Sequence, residues 1–131
     1  GVAVDNDGNV YVSFLAGFPF IPGTAKVVQV AEDGTVSDYA IGLTSLTDLR
    51  LGPDGNLYAV QFAEFGEQGP APASGALVRI NEGGTSEVVL DNLMFSTSVD
   101  FDDAGNAYVA VGGVGAPGSG QVVMYEDVAT P

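Results

Sequence analysis

Carboxylates are the most numerous ionisable groups in this 131-residue chain. Asp and Glu number 17 against 3 Lys and Arg, for a formal net charge of −14 at pH 7. The densest group, Asp5-Asn-Asp-Gly-Asn9, offers two carboxylates and two amides, the hard oxygen donors that calcium prefers. Asp5 and Asp7 are therefore candidate metal ligands. The spacing favours another role. Glycine falls at the fourth place, where a calcium-binding EF-hand loop needs it at the sixth, and Ala16 stands where that loop requires a bidentate Glu. A hairpin turn accounts for the segment better. Two further carboxylates, Asp48 and Asp100, lie inside apolar runs. Like charges brought close together raise one pKa, and such a pair can hold a divalent ion or act as acid and base.

The absent residue types exclude more. The chain has no His and no Cys, so it supplies no imidazole base, no thiolate nucleophile and no zinc site built on either. A Ser-His-Asp triad cannot form from this chain alone. Three cations, Lys26, Arg50 and Arg79, cannot neutralise a phosphate backbone, and an anionic membrane surface would repel the molecule. Nucleic acid is excluded as a partner. The most apolar stretch, Val12 to Pro22, is too short to span a bilayer and is broken by Gly17, Pro19 and Pro22, so no membrane insertion is expected. Gly113-Val-Gly-Ala-Pro-Gly118 spells a dinucleotide-binding pattern, but Gln121-Val-Val-Met124 follows as a strand where that pattern needs a helix N-terminus. It reads as a flexible loop. No Asn-x-Ser/Thr acceptor for glycans occurs.

The elements that carry these groups repeat. Asp5-Asn-Asp-Gly-Asn-Val-Tyr11, Gly52-Pro-Asp-Gly-Asn-Leu-Tyr58 and Asp102-Asp-Ala-Gly-Asn-Ala-Tyr108 are versions of one segment, their glycines spaced by 47 and then 50 residues. Periodicity of this size marks an array of supersecondary units. Each unit resolves into short β-branched and aromatic runs punctuated by Gly, Pro, Asn and Asp. The runs near Val2–Asp5, Val10–Phe14, Ala25–Ala31 and Val36–Ile41 form the first unit. Asp48–Leu51, Leu57–Phe62, Ala76–Asn81 and Ser86–Leu90 form the second. Ser98–Phe101, Ala107–Val111 and Gln121–Glu126 begin a third that lacks its fourth strand. No segment shows sustained helical periodicity. Pro53-Asp54-Gly55 and its equivalents predict a type I turn closed by a glycine of positive φ.

Four-stranded antiparallel units at this interval are the blades of a β-propeller. The expected blades are residues 1–45, 46–95 and, in part, 96–131. Both faces of a blade pack on neighbours, which suits near-continuous apolar runs such as Leu57-Tyr-Ala-Val60. Two blades and most of a third do not close a ring, since propellers have typically 4–8 blades. The expected partner is therefore the rest of its own propeller or a second copy.

Gly1-Val-Ala-Val-Asp5, Leu46-Thr-Asp-Leu49, Gly52-Pro-Asp-Gly-Asn-Leu-Tyr58 and the loop Gly17-Phe-Pro-Phe-Ile-Pro-Gly23 resemble the ScyD/ScyE family of bacterial proteins. The resemblance covers the whole chain and about half of a family member. It implies a six-bladed propeller, related to NHL-repeat and gluconolactonase-type propellers, that is exported to the periplasm or outside the cell and has no assigned reaction. Gluconolactonase-type propellers hold a divalent ion in the channel, so the resemblance makes Asp48 and Asp100, on the innermost strands, candidate ligands, with calcium as the ion. Against this, the two carboxylates lie at different depths, and Arg50 aligns with Asp100 and is expected to neutralise it.

The loops Leu15–Thr24, Ala63–Gly75 and Gly112–Gly120 all emerge on one face of such a ring. Phe18, Phe20 and Ile21, with Phe14, Phe62 and Phe65, are expected to form an apolar patch there, either to meet a protein or small ligand or to plug the channel mouth. The functional expectation is a secreted binding or structural and interaction module to which no catalysis is assigned. A metal-dependent lactonase-like hydrolase and a self-assembling extracellular subunit are the alternatives. Extreme acidity with few lysines suits an extracellular setting, where it maintains solubility.

Overall fold

The computed structural model describes residues 1–131 and contains no helix. Sheet 1 is formed by β1 (Val2–Val4), β2 (Val10–Ser13), β3 (Ala25–Val30) and β4 (Val36–Leu43), paired antiparallel in chain order. Sheet 2 begins with β5 (Leu46–Leu51) and β6 (Leu57–Gln61). A two-stranded hairpin, β7 (Phe65–Gly66) and β8 (Gly69–Pro70), then interrupts it. Sheet 2 resumes with β9 (Gly75–Ile80) and β10 (Ser86–Leu93). Sheet 3 has three strands, β11 (Ser98–Phe101), β12 (Ala107–Val111) and β13 (Gln121–Tyr125).

The strand pattern follows the sequence with three differences. β4 and β10 run on past Ile41 and Leu90 to Leu43 and Leu93, crossing irregularities in register. Bulges of this kind let a strand continue through residues that break the alternation. β5 starts at Leu46 instead of Asp48. The second long loop, expected to be irregular, contains the β7–β8 hairpin, which Gly66 and Gly69 pair across.

The first hairpin of each sheet turns as its residues dictate. Gly8, Gly55 and Gly105 have φ of 87°, 83° and 94°, and each amide donates back to the carbonyl three residues earlier, on Asp5, Gly52 and Asp102. Asp5, Gly52 and Asp102 in turn donate their amides to the carbonyls of Asn9, Asn56 and Asn106. The result is the expected turn with a glycine bulge.

Sheet 2 lies between the other two, and side-chain alternation decides what meets what. Leu49, Leu57, Ala59, Val78 and Ile80 pack on Ala3, Tyr11, Val27 and Ala40 of sheet 1. From the opposite face, Tyr58, Val60 and Leu77 pack on Val99, Ala107 and Val109 of sheet 3. The run Leu57-Tyr-Ala-Val60 is apolar throughout because both of its faces are buried. The first strands of the three sheets lie side by side, with β5 touching both β1 and β11.

Beyond β13 the chain returns to the seam between sheets 2 and 3. The Ala129 amide donates to the Gly105 carbonyl at 2.8 Å, and the Ala129 side chain is buried against Tyr58. A Cβ added to Gly105 would lie 2.6 Å from the Ala129 carbonyl carbon, whereas one added to Gly8 would meet nothing. Both glycines hold a φ that side chains resist, so Ala at either position strains the turn. We expect Gly8→Ala to lower stability by about 1 kcal/mol and Gly105→Ala by at least twice as much, because only the second also displaces Ala129. Urea unfolding of the two variants checks this. Equal losses would show that the terminal segment adds nothing to the turn.

Candidate functional site

The carboxylates of the turns are occupied by their own hairpins. Asp5 Oδ2 accepts from Asn9 Nδ2 at 2.8 Å and from the Tyr11 hydroxyl at 3.1 Å, while Oδ1 accepts the amides of Asp7 and Asn9. Asp102 makes the same bonds to Asn106, Tyr108 and the Ala104 amide. In sheet 2 the carboxylate comes from a different place. Gly52 occupies the position of Asp5 and Asp102, and a Cβ there would lie 2.6 Å from the Tyr58 ring. Asp54, two residues on, supplies the acceptor instead, at 2.8 Å from both Asn56 Nδ2 and the Tyr58 hydroxyl.

These bonds set the ionisation of the groups. The Asn9 amide, ahead of the backbone and Tyr11 donors, holds Asp5 below the usual carboxylate value of 3.8. Asn106 does the same for Asp102. Burial first, and the neighbouring carboxylate second, push the Tyr11 and Tyr58 hydroxyls up. Asp7 gives its amide to Asp5. A cleft of about 440 Å³ between the turns of sheets 1 and 2 is lined by Asp5, Asp7, Asp54 and Glu82. Two of these four carboxylates, Asp5 and Asp54, are committed to the turn networks just described.

On the innermost strands, Asp48 and Arg50 join sheets 2 and 3. Asp48 Oδ2 accepts the Val99 amide at 3.1 Å, and Oδ1 accepts the Leu49 amide at 2.9 Å. Arg50 Nε donates to the Val99 carbonyl at 3.3 Å and lies 3.9 Å from Asp48 Oδ2. Val99 thus has both backbone groups held by side chains of β5. The expected pairing of Arg50 with Asp100 is not formed. Arg50 turns along its own strand toward Asp48, because Val99 offers it a carbonyl there. Asp100 is exposed and accepts the Phe101 amide at 3.0 Å. The Asp48 side chain is only 14% exposed. Within this chain no three His, Cys, Asp or Glu side chains converge, and the Asp48 carboxylate is engaged by the Val99 and Leu49 amides.

The loop face is different. Phe18, Phe20, Phe65, Phe62 and Phe95 form a continuous row of rings. Successive centroids are 6.0, 4.8, 6.1 and 5.5 Å apart. These distances suit edge-to-face and offset contacts. The row crosses the seam between sheets 1 and 2 and ends at Phe18, which is 89% exposed; Ile21 and Met94, next in sequence to Phe20 and Phe95, are exposed as well.

The loops are held by a second repeated turn that the sequence reading missed. Ile21-Pro-Gly-Thr24, Ala71-Pro-Ala-Ser74 and Ala116-Pro-Gly-Ser119 each have proline at the second place and positive φ at the third, on Gly23, Ala73 and Gly118. That is the type II pattern. Thr24 and Ser74 close it with hydroxyl bonds of 2.6 Å to the carbonyls of Ile21 and Ala71. The Pro-small-hydroxyl spacing was the available signal. Phe95 was also missed, because it lies in the β10–β11 connection and not in a long loop.

All three cations are spoken for. Lys26 pairs with Asp38 at 2.6 Å, Arg79 with Glu87, and Arg50 with Asp48. No positive side chain is left to attract an anion.

With the geometry in place, known proteins supply a comparison. Fourteen chains of solved structures are similar to this fold. One is the X-ray structure of a protein provisionally named a gluconolactonase, with a TM-score of 0.61 at 18% identity. The match covers 98% of this chain and 44% of that one, so this chain spans less than half the length of its structural neighbour. No family model and no curated protein matches the sequence. The likeness establishes an all-β fold of the β-propeller kind.

The turn carboxylates give a pH signature. A carboxyl held below its unfolded value stabilises the fold fully above that value, and the contribution is lost as pH falls through the lower folded value. Asp5 and Asp102 are both of this kind. The Asp5→Asn/Asp102→Asn variant should melt below the parent near neutral pH, and the gap should shrink as pH falls to about 3. A gap unchanged across that range would show that their charge carries no part of the stability.

Proposed function

We propose that this chain belongs to a propeller of the ScyD/ScyE type. Its three sheets are taken as consecutive blades of a six-bladed ring. It works outside the cell, or in the periplasm, as a binding module without catalysis of its own. The observation that carries this reading is the row of five phenylalanines crossing two sheets on the loop face and ending in the exposed Phe18. A row of rings held on hydrogen-bonded turns offers large apolar area at little ordering cost, which is what a docking surface needs. With every cation paired and a net charge of −14, the surface favours apolar, uncharged or cationic groups over anions. Phe18, Phe20, Ile21 and Phe65 are the residues assigned to the ligand.

Nile red, a neutral aromatic dye, serves as the probe. Phe18→Ser and Phe65→Ser should each weaken its binding about tenfold, the loss expected when one ring is removed from an apolar contact. Phe18→Ser should leave the melting temperature unchanged, since that ring is mostly in water. Dye binding that ignores both substitutions removes the loop face from the function.

The fold likeness to a protein named as a gluconolactonase, together with Asp48 and Asp100 on inner strands, supports a second reading as a metal-dependent lactonase. On the binding-module reading, gluconolactone hydrolysis stays at the uncatalysed rate with added calcium, and a chelator leaves the melting temperature unchanged. Calcium-dependent turnover that Asp48→Asn abolishes would reverse the choice.

A further inference from the structure

The phenylalanine row stands apart in its charge as well as in its apolarity. The segments that carry the rings, residues 14–24, 62–75 and 94–97, contain no Lys or Arg. Their two carboxylates, Glu64 and Glu67, flank Phe65, one on the residue before it and the other in the β7–β8 turn. Asp91 lies near the end of β10, four residues before Phe95. All three acidic residues are exposed, and none forms an ion pair. Lys26, just past the first of these segments, is taken by Asp38.

The rings add to the same preference. The face of an aromatic ring carries partial negative charge and attracts an ammonium or guanidinium group within about 6 Å of its centroid. Here five rings come with three unneutralised carboxylates. An apolar anion would gain from contact area alone and be repelled by the rest. An apolar cation would gain from area, ring faces and carboxylates together.

The shape of the row limits the occupant further. Small ligands are held in clefts that enclose most of their surface. The clefts of about 440, 330 and 530 Å³ in this chain are lined by residues of the turn end, and by no ring of the row. The row instead runs as a strip, in four steps of 4.8 to 6.1 Å, across the seam of sheets 1 and 2. Side chains on one face of an extended chain recur about every 6.6 Å, close to the step of the rings. Such a segment can lay an apolar side chain on the strip at every second residue. Lys or Arg between them can rest its stem on apolar surface while its head reaches a carboxylate.

We infer that the phenylalanine strip takes an extended, basic polypeptide segment of a partner protein, one in which apolar residues alternate with Lys or Arg. This assignment rests on the binding-module reading above and gives its partner a chemistry.

Three capped hexapeptides serve as probes, alternating Leu with Lys, with Gln or with Glu, and isothermal titration calorimetry at physiological salt reads their affinity. The Leu-Lys peptide should bind about tenfold tighter than the Leu-Gln peptide, which is what three exposed ion pairs supply together. The Leu-Glu peptide should bind weakest. Glu64→Gln/Glu67→Gln/Asp91→Asn should remove the preference for Lys while leaving Nile red affinity unchanged. Glu32→Gln/Glu82→Gln/Glu126→Gln removes the same charge at the turn end and should keep the preference, because salt screens charges beyond about 8 Å. No binding of the Leu-Lys peptide, or equal affinity for it and the Leu-Gln peptide, overturns the inference. So does a preference that the turn-end variant loses as fully as the loop-end one. Phenethylammonium binding as tightly as the Leu-Lys peptide also overturns it, since the strip would then serve a small cation. In each of these cases the binding-module reading stands as long as Phe18→Ser and Phe65→Ser weaken Nile red binding. It falls only when the dye ignores both.

Discussion

A sheet with two apolar faces is stable in water only when both are covered, and sheet 2 meets that condition while its neighbours meet it on one side each. This single requirement orders the rest of the structure. It explains why Leu57 to Val60 carry no polar interruption, and why the first strands line up with β5 between β1 and β11. It also explains why the polar work is pushed to the two ends of the sheets. The turn end holds the Asp–Asn–Tyr networks, and the loop end holds the phenylalanines. Tyr11 and Tyr58 tie the turn end to the core, whereas the phenylalanines of the loop end lie outside both core clusters.

Electrostatics follows the same division. The few cations are used where two strands or two sheets must be joined: Lys26 and Arg79 across neighbouring strands, and Arg50 beside Asp48 at the seam. Arg50 and Asp48 take the carbonyl and amide of Val99, two backbone groups that no strand pairs at that seam. The remaining carboxylates are left to solvent or to their own turns.

Most of the fold was legible because it rests on local rules. Alternation of apolar residues, turn glycines and a 47-to-50-residue interval located the strands of all three sheets to within a few residues at either end. The extended ends of β4 and β10 were not legible, since bulges break the alternation that reveals a strand. The site was less legible for a physical reason. Which side chain Arg50 faces depends on a backbone carbonyl from a strand 49 residues away, and no spacing within β5 encodes that. The phenylalanines of the two long loops were readable as a group, yet Phe95 entered the row only through the placing of the β10–β11 connection.

The displaced carboxylate of sheet 2 bears on how such repeats diverge. Gly52 gives up the acidic residue that its counterparts keep, and Asp54 restores the same pair of donors from two positions along. The hairpin therefore depends on where the oxygen ends up, and two different positions of the turn can provide it. Copies of the unit are free to trade residues between neighbouring sites as long as the lone pairs arrive at the amide and the phenol. Letter-by-letter comparison of the three turns therefore understates how alike their geometry is.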